Sequence, residues 1–533
     1  MQGEEKMTGE DRELLWHSVD YWASVKPEAE AVVFGDIRLN WKQVKEKVDS
    51  LSEAFIAMGV QKGDRIALLS MACPEFITSF MAASKVGAIW QGISPKFSRD
   101  EIFYFLSDSQ PKVLLALDHY MNIDLLEMIL EFKEEFPFLH EVVIIGDPRG
   151  SGLIEFNEFL YRKSPNSKEL LEKRILEANE NDEVLLMYTS GSTGKPKGVL
   201  HTHRAVMCSA RVESKYMFWD SDSRVLLHFP INHVAADVEM GYTAIYNGAT
   251  IVLMDRFLPE GSLIEIEKER ITHLGQVPSM YLMQMNTSKF KTMDWSSMRL
   301  MAWGAYAANE RMVKILSEIA RKNNFLLLTG YGSTEVCGFA TFASPQDSVE
   351  LLFSATGRIV PPYEVKIVDE ERKEVPIGKI GEIAFRGPIV MKEYLNNPIA
   401  TSLVKDNNGW FYTSDLGWID DKGYLFVCGR KSEMYKTGGE NVFPKEIEDV
   451  LEMHPSVLMA AVLGVPDSIY GEVGHAFIVP KPGATIKESE LRSYCRRHLA
   501  GFKIPRRFDV RPVLPMLTNG KIDKMTLRQW LAS

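Results

Sequence analysis

The chain has 533 residues, of which 45% are hydrophobic and 25% charged, and both fractions are close to the average for globular proteins. This composition excludes a disordered chain, a collagen-like fibre and a small disulfide-stapled scaffold. A net charge of −11 argues against a broad basic surface for nucleic acid. The five cysteines are scattered without a CxxC pair, so we expect reduced thiols and not a zinc site.

The sequence shows no targeting or membrane signal that we recognise. The first residues are acidic and lack an apolar segment, unlike a signal peptide. No uninterrupted apolar run reaches the roughly 18 residues that span a bilayer. We therefore expect a cytoplasmic protein without a membrane span.

Over most of the chain, strand-like apolar runs alternate with amphipathic helical stretches. A helix is predicted over residues 42–58, a buried strand over 65–70 and a second helix over 74–86. Further strands are predicted at residues 112–117, 141–145, 183–188, 225–229, 250–254 and 325–328. Strands separated by helical lengths indicate βαβ units, and hence an α/β fold with mainly parallel sheets.

The last third of the chain has a different pattern, with shorter strands and Gly and Pro turns. It predicts a β-rich subdomain over about 346–430 and a final α+β unit over 431–533, which has the usual size of a domain. The elements predicted in this unit are a helix, two strands and a second helix, at residues 445–453, 457–465, 476–480 and 487–498. We therefore predict a large N-terminal domain, 1–430, and a small mobile C-terminal domain, with a hinge near 430–432.

The densest motif is the Gly- and Ser/Thr-rich string YTSGSTGKPKG, which begins at Tyr188 within a strand-like run. Its glycines permit close backbone approach, and its hydroxyls and lysines offer donors and positive charge, as a polyphosphate requires. The predicted nucleotide-binding residues of this loop are Thr189, Ser190, Gly191, Ser192, Thr193, Gly194, Lys195 and Lys197. It is not a Walker A loop, because its second glycine comes too early and Pro196 stands where a Ser or Thr would be.

This loop resembles the phosphate loop of the adenylate-forming superfamily, which includes acyl-CoA synthetases, amino-acid adenylation domains and luciferases. The other motifs of the superfamily follow in order along nearly the whole chain. The string YGSTE is similar to the family's YGxTE, which implies that Tyr331 packs on adenine, Thr334 contacts the α-phosphate and Glu335 binds Mg²⁺. One carboxylate suits a hard cation held mainly by phosphates and water. The resemblance also implies that Asp415, in the string YTSD, accepts from the ribose hydroxyls.

The C-terminal motifs of the superfamily are also present. Arg430, in the string GRKS, matches the hinge motif and is expected to reach the nucleotide, whereas Ser432 departs from the usual Asp or Lys of that hinge. The string GGEN matches a loop that is expected to enter the site in the second half-reaction. The nucleotide- or acceptor-binding candidates in this loop are Gly438, Gly439 and Glu440. Lys521, in the string NGK, matches the catalytic lysine of the superfamily.

The resemblance implies two-step chemistry that uses ATP, Mg²⁺ and coenzyme A. A carboxylate attacks the α-phosphate of ATP to give an acyl-adenylate and pyrophosphate, and a thiol then displaces AMP. Lys521, the Mg²⁺ held by Glu335 and the loop donors are expected to stabilise the charge that builds in the first step. Rotation of the C-terminal domain is then expected to remove Lys521 and bring in the loop 438–441.

The string PINH resembles the family segment whose histidine, here His233, lies between the nucleotide and the acid. The candidate walls of the acid pocket that follow it are Val234, Ala235 and Val238. Amino-acid adenylation domains have an aspartate at the position of Val234. An ammonium group would lack a partner here, so an amino-acid substrate is disfavoured. Asp237 and Glu239 are interpreted as solvated or structural acids.

The string MAWGAY aligns with a family stretch that forms one wall of the acid pocket. Gly304 is a candidate nucleotide-binding residue, and Trp303 stands where a glycine is common. An indole at that position predicts a compact pocket for a short, branched or ring-containing acid. The alternative is that Trp303 packs in the core, as buried tryptophans commonly do.

The preferred function is an ATP-dependent acid–CoA ligase of the acyl-CoA synthetase type, with a small carboxylic acid as substrate and a role in fatty acid metabolism. Transfer to a carrier-protein thiol, a luciferase-like oxidation and a catalytically silent homologue stay open as alternatives. The sequence ends shortly after Lys521 without a carrier domain, which favours a free-standing ligase. The sequence does not determine the oligomeric state, and a homodimer is compatible with it.

Overall fold

The computed structural model describes residues 12–189, 195–306, 308–517 and 521–532. Part of the predicted phosphate loop lies outside the described residues, namely Ser190, Gly191, Ser192, Thr193 and Gly194. The N-terminal part of the chain is built from two large sheets with helices against them, followed by a smaller antiparallel sheet and a C-terminal α+β unit.

The first large sheet carries the strands that flank the phosphate loop. In spatial order its strands are Glu393–Tyr394, Lys197–Thr202, Glu183–Thr189, Ile89–Ile93, Arg65–Leu69, Val113–Leu117, Glu141–Ile145 and Ile154–Glu155. The two pairs that involve Lys197–Thr202 are antiparallel, and the others are parallel. The phosphate loop therefore joins two strands of a hairpin. A Walker A loop, in contrast, leads from a strand into a helix.

The second large sheet is also mainly parallel, as predicted. In spatial order its strands are Leu326–Thr329, Leu300–Trp303, His273–Gln276, Arg224–Leu227, Thr250–Leu253, Glu30–Phe34 and Ile37–Asn40. The pair at the Ile37–Asn40 edge is antiparallel. In register, Trp303 lies beside Gln276 on one side and Thr329 on the other.

The helices of the N-terminal part connect these strands. The α-helices are His17–Val25, Trp41–Ala57, Pro74–Val86, Arg99–Ser109, Leu126–Glu135, Phe156–Phe159, Ser167–Glu177, His203–Tyr216, Thr243–Asn247, Pro259–Lys268, Pro278–Met285, Glu310–Asn323, Val349–Ser354 and Pro398–Val404. The remaining helices are the π-helix Ala235–Tyr242 and the 3₁₀ turns Lys289–Thr292 and Thr334–Val336. The helix Trp41–Ala57 shows how local sequence sets a boundary, because Asn40 and Gln43 form a reciprocal capping box at its start.

The β-rich subdomain and the C-terminal unit have separate sheets. The subdomain sheet is antiparallel, with strands Glu364–Val368, Gly381–Arg386, Phe411–Ile419 and Leu425–Arg430. The C-terminal sheet has strands Glu440–Val442, Tyr435–Thr437, Gly471–Pro480, Val457–Asp467 and Arg507–Val510. Its helices are Pro444–Glu452, Glu488–His498 and Lys524–Ala532, with the 3₁₀ turn Gly501–Lys503. Short strand pairs elsewhere are His119–Tyr120 with Ile123–Asp124, Gly332–Ser333 with Gly338–Phe339, and Thr341–Phe342 with Arg358–Ile359.

Helices pack against both large sheets, and the helix Pro74–Val86 contacts strands of both. The largest apolar cluster joins both large sheets through Trp41, Phe76, Trp90 and Val238, and a second cluster covers the outer face of the second sheet. The C-terminal unit has its own core. These features confirm the predicted α/β class with a small C-terminal domain, whereas the boundary at residue 430 stays a prediction.

None of the helices in the described part of the chain combines the length and the apolar character that a membrane span requires. The cytoplasmic location and the homodimer stay predictions.

Candidate active site

The lysines of the phosphate loop lie against aromatic rings. Lys195 Nζ is 5.5 Å from the centroid of the Tyr104 ring, and Lys197 Nζ is 5.1 Å from that of Tyr394. Thr189 ends the strand Glu183–Thr189 and lies opposite Lys197 in register. Because a cation over a ring face is weakly held, both ammonium groups can exchange this contact for a phosphate.

Three of the predicted nucleotide-binding residues contact one another. The Tyr331 hydroxyl donates to Asp415 Oδ2, and Arg430 Nε lies 3.3 Å from Asp415 Oδ1. Asp415 and Arg430 are register partners on neighbouring strands of the subdomain sheet. The Tyr331 ring stacks on Phe385 with ring centroids 5.6 Å apart. This arrangement fixes an aromatic face and a carboxylate together, as an adenine and its ribose require.

Contacts from two other segments of the chain hold Glu335 and its neighbour Thr334. The Glu335 Oε1 atom accepts a 3.0 Å hydrogen bond from the Tyr394 hydroxyl, and the Glu335 carbonyl accepts one of 2.7 Å from the Met391 N–H. His201, on the strand after the phosphate loop, donates from Nε2 to the Thr334 carbonyl at 2.7 Å. Thr334 and Glu335 are therefore tied to the hairpin that carries the phosphate loop.

Lys521 lies in the same cleft as these motifs. Burial lowers the pKa of Lys521, the positive charge of Arg430 lowers it further, and Asp415 and Glu335 oppose the shift. Burial lowers the pKa of His233 to about 4, and the charge of Lys521 acts in the same direction. His233 is therefore neutral at pH 7, and its Nδ1 accepts from the Ala235 N–H at 3.2 Å.

The loop 438–441 lies on the surface of the C-terminal unit. Gly438 and Gly439 form the turn of the hairpin Tyr435–Thr437 and Glu440–Val442, with φ angles of 58° and 89° that favour glycine. Gly438, Gly439 and Glu440 are exposed, and the Gly438 N–H donates to the Tyr470 carbonyl at 2.8 Å. In this conformation Lys521 lies near Asp415 and Glu335.

The predicted walls of the acid pocket lie on and before the π-helix Ala235–Tyr242, which we call the acid-pocket helix after this prediction. Val234, Ala235 and Val238 are all buried, and Val238 is completely so. Gly241 explains the π geometry in part, because a Cβ there would lie 2.2 Å from the Ala236 carbonyl oxygen. A side chain at that position would collide with the wider helical turn.

Two acidic residues of the π-helix, Asp237 and Glu239, are buried, so of the solvated and structural interpretations only the structural one agrees with their positions. Asp237 has no exposed surface and Glu239 retains only 9%. The apolar residues of the π-helix belong to the largest apolar cluster, and packing in this cluster buries its acidic positions. Burial raises the pKa of Asp237 well above its usual range and raises that of Glu239 to about 7.

The side chain of Trp303 is buried on the outer face of the second sheet. It packs in one cluster with Met301 and Met312, whereas Ala302, the residue between them on the strand, packs in the cluster that contains Val238. Because side chains alternate across a strand, the indole points away from the acid-pocket helix. This geometry favours the core-packing alternative. The backbone of Gly304 lies close to Phe339, whose ring atoms would be 2.7 Å from a Cβ at Gly304.

Sequence reasoning missed two aromatic residues of the site. Tyr394 contacts both Glu335 and Lys197, and Phe385 supports the Tyr331 ring. Both lie on subdomain or edge strands, outside the short motifs, and no spacing links them to the residues they contact. Only the folded arrangement brings them to the cleft.

Comparisons with known proteins give a consistent family. The model of the AMP-binding enzyme family matches residues 19–395, and that of the AMP-binding enzyme C-terminal domain matches residues 446–521. The putative acyl-CoA synthetase YngI of Bacillus subtilis is 32% identical over 525 residues, covering 95% of each chain. Indoleacetate–CoA ligase of Aromatoleum aromaticum is 31% identical, over 96% of this chain and 97% of its own.

The solved structures agree with this result. An anthranilate CoA ligase, AuaEII, solved with anthranoyl-AMP, has a TM-score of 0.88 at 25% identity and covers 99% of both chains. The predicted fold class and family are thereby confirmed. The chain belongs to the AMP-binding enzyme family, and it is an adenylate-forming acid–CoA ligase that uses ATP and coenzyme A.

Proposed function

We propose that this ligase acts on a compact, ring-containing carboxylic acid. Two similar proteins are named for ring acids, indoleacetate and anthranilate. The acid-pocket helix offers the short side chains of Val234 and Ala235 next to His233, where an apolar ring can lie. The acid body would pack on this surface while its carboxylate points toward Lys521.

The observation that carries the proposed roles is the convergence of Lys521, Glu335, Asp415 and Arg430 on one cleft with His233. The carboxylate oxygen of the acid attacks the α-phosphorus of ATP, the bond to the β-phosphate oxygen breaks, and pyrophosphate leaves. Lys521 stabilises the negative charge that builds on the phosphate oxygens. His233 is neutral, so it lines the passage without trapping the acid as an ion pair.

The residues present fit a magnesium ion held on the nucleotide. Within the described ranges, no group of three or more His, Cys, Asp or Glu side chains is arranged to hold a metal ion. Glu335 is a single half-buried carboxylate, and its contact with Tyr394 orients it. Mg²⁺ usually binds through one or two carboxylates together with phosphates and waters. Glu335 would hold this ion, which when bound neutralises phosphate charge.

For the second step, we assign the exchange of groups to a rotation of the C-terminal unit about residues 430–432. The subdomain sheet ends at Arg430, and the next sheet starts at Tyr435, so few residues connect the two. Rotation would withdraw Lys521 and present Gly438, Gly439 and Glu440 to the acyl-adenylate. The coenzyme A thiolate then attacks the acyl carbon, and AMP leaves.

The proposal is tested by two assays on a panel of ring and straight-chain acids. Acid-dependent ATP–pyrophosphate exchange reports the first step, and AMP release with and without coenzyme A reports the second. We expect both activities, with the highest kcat/KM for compact ring acids. Release of AMP that does not require coenzyme A would instead indicate another acceptor, and a preference for long straight-chain acids would contradict the proposed substrate class.

A Gly439→Leu variant tests the rotation. No atom lies within 4 Å of a Cβ placed on Gly439, but its φ of 89° disfavours a side chain, so a modest loss of stability is expected. Pyrophosphate exchange should be kept, whereas thioester formation should fall at least tenfold because the leucine side chain obstructs the narrow path of the thiol. Equal losses in the two assays would contradict a role limited to the second step.

A further inference from the structure

Two residues of the acid-pocket helix, Ala235 and Glu239, keep more exposed surface than their neighbours. Ala236, Asp237 and Val238 have no exposed surface, whereas Ala235 keeps 6% and Glu239 keeps 9%. In a π-helix the turn closes between four and five residues, so Ala235 and Glu239 lie near one face, and Ala235 lies beside His233, whose Nδ1 accepts from the Ala235 N–H. Glu239 is six residues after His233, and because a π-helix rises less per residue than an α-helix, the two lie within about 9 Å of each other along the helix axis. Glu239 therefore lies where the far end of a compact acid would reach.

Glu239 has no partner among the residues that the structure describes. It makes no hydrogen bond or ion pair with them, although it is nine-tenths buried. A second acid, Glu213, lies beside it. A Cβ placed on Gly338 would lie 3.2 Å from Glu239 Cγ and 2.8 Å from Glu213 Oε1, so both side chains meet at this glycine.

Glu213, in contrast to Glu239, has hydrogen-bond donors within the protein. It accepts hydrogen bonds from Thr243 Oγ1 at 2.9 Å and from Ser209 Oγ at 3.4 Å. In the described ranges no Lys or Arg forms an ion pair with Glu213, Asp237 or Glu239, and both oxygens of Asp237 also lack a hydrogen-bond partner. A buried carboxyl group without a donor is costly, so Glu239 is suited to a donor that arrives with the ligand.

We propose that Glu239, with Glu213 behind it, determines acid specificity by accepting a hydrogen bond from a donor at the far end of the acid. The donor would be a hydroxyl, an amine or a ring N–H. The inference rests on the proposed function, because it assumes that the acid lies along the acid-pocket helix. An acid that lacks the donor leaves Glu239 unpaired, and such a site rejects it strongly.

The test uses matched acids that differ only in the donor. The pairs are 3-(4-hydroxyphenyl)propanoate with 3-phenylpropanoate, 4-(aminomethyl)phenylacetate with 4-methylphenylacetate, and 6-hydroxyhexanoate with hexanoate; 5-oxohexanoate supplies an acceptor instead. Their kcat/KM values are measured by pyrophosphate exchange, which needs no coenzyme A. Acids without turnover are ranked by the Tm increase that they cause, a readout that does not depend on catalysis.

We expect the wild type to prefer the donor-bearing member of at least one pair about tenfold or more. Glu239→Leu should abolish or reverse that preference. Glu239→Gln should keep a preference for the hydroxyl, since its amide oxygen still accepts, but should lose any preference for a charged amine. Met240→Leu is the matched control, because Met240 faces the neighbouring strand at Gly275, and its ratios should equal those of the wild type.

The proposal is overturned if every pair gives the same ratio in the wild type and in Glu239→Leu, or if the acceptor acid is preferred. Failure of the proposed function has a different signature. It would appear as a preference for long straight-chain acids over ring acids, whereas the donor preference within each matched pair would still be measurable by exchange. If Glu239→Leu does not fold, the hydroxyl and amine ratios of Glu239→Gln decide the question.

Discussion

At the nucleotide end of the cleft, charged side chains have partners, whereas at the acid end two buried carboxyl groups have none among the described residues. Asp415 contacts Tyr331 and Arg430, and Glu335 contacts Tyr394. Glu239 and Asp237 are buried, and among the described residues neither has a hydrogen-bond donor or a counter-ion. The first arrangement is complete before the nucleotide arrives, and the second leaves an interaction to the substrate.

This difference follows from what each end must bind. A polyphosphate and a ribose are the same in every turnover of every related enzyme, so preformed contacts serve them. The acid, in contrast, is recognised through the chemical groups at its far end. One unpaired polar group in a buried, low-dielectric site discriminates strongly between acids that can and cannot pair with it. The comparison predicts that substitutions at the nucleotide end change rate for all acids alike, whereas substitutions at the acid end change ratios between acids.

The largest effect is expected for Lys521→Ala. Pyrophosphate exchange should fall by roughly 10³-fold or more with every acid, since the ammonium group faces the phosphate where charge builds. Thioester formation from a supplied acyl-adenylate should stay near the wild-type rate, because that step does not use Lys521 in the proposed rotated state. Single-turnover assays of each half-reaction measure this split.

Lys524→Ala is the control from the same segment. Lys524 forms ion pairs with Glu433 at 2.6 Å and with Glu448 at 2.9 Å, so its loss should affect stability more than exchange. A comparable loss of exchange in both variants would mean that the segment as a whole, and not Lys521, is required. Equal losses in both half-reactions of Lys521→Ala would contradict the two-conformation mechanism.

The nucleotide end could be predicted from the sequence because its groups lie in short strings. YGSTE, YTSD and NGK each place a functional side chain beside turn residues, and the structure brings Glu335, Asp415 and Lys521 to one cleft. Tyr394 could not be found in this way, since its contact with Glu335 depends on the packing of an edge strand. Alternating apolar runs likewise predicted the parallel sheets but not which strands are neighbours.

The acid end could not be predicted, for two physical reasons. In the π-helix the turn is wider than in an α-helix, so spacing alone does not tell which of Val238 and Glu239 faces the cavity. On the strand Leu300–Trp303, alignment placed Trp303 at the pocket wall, but alternation along the strand turns it to the other face. In both cases the missing information is the direction in which a side chain points, which motif spacing does not contain.

Trp303→Gly tests whether the indole packs in the core or forms a wall of the acid pocket. Removing a buried indole should lower the free energy of unfolding by about 3–5 kcal/mol, as large-to-small core substitutions do. Because Trp303 packs in the cluster on the outer face, the chain-length optimum for the acid should not move. Denaturant unfolding and a kcat/KM series over straight-chain acids measure the two effects, with Trp303→Phe as a control that keeps an aromatic ring and removes less volume. An optimum shifted toward longer acids would restore the pocket-wall hypothesis.

Glu335→Gln should have a smaller effect, and one that is uniform across acids. The amide keeps the shape and the contact with Tyr394 but removes the charge, so we expect a raised Mg²⁺ requirement and a loss of roughly 10–100-fold at low Mg²⁺. Tyr394→Phe removes one hydrogen bond, worth about 1 kcal/mol, and should cost only about fivefold. Titration of Mg²⁺ at saturating ATP separates these cases. An unchanged Mg²⁺ dependence in Glu335→Gln would remove this carboxylate from the metal site.

The smallest predicted effect is a pH dependence of stability that belongs to the acid end alone. Burial raises the pKa of Glu239 in the folded protein to about 7, above the ordinary 4.5. The folded state therefore holds this proton more tightly than the unfolded state. Its contribution to stability is fully present below pH 4.5 and is lost as the pH rises through 7.

Glu239→Gln removes this titration while keeping the shape of the side chain. The difference in stability between variant and wild type should therefore be more positive at pH 8 than at pH 5, by about 1–2 kcal/mol, since Glu213 shares part of the effect. Any cost of burying the amide is the same at both pH values and cancels in this double difference. Apparent Tm values at the two pH values, with Met240→Leu as control, provide the measurement. A double difference of zero would mean that Glu239 reaches water or a cation in the folded protein, and the contrast between the two ends of the cleft would then disappear.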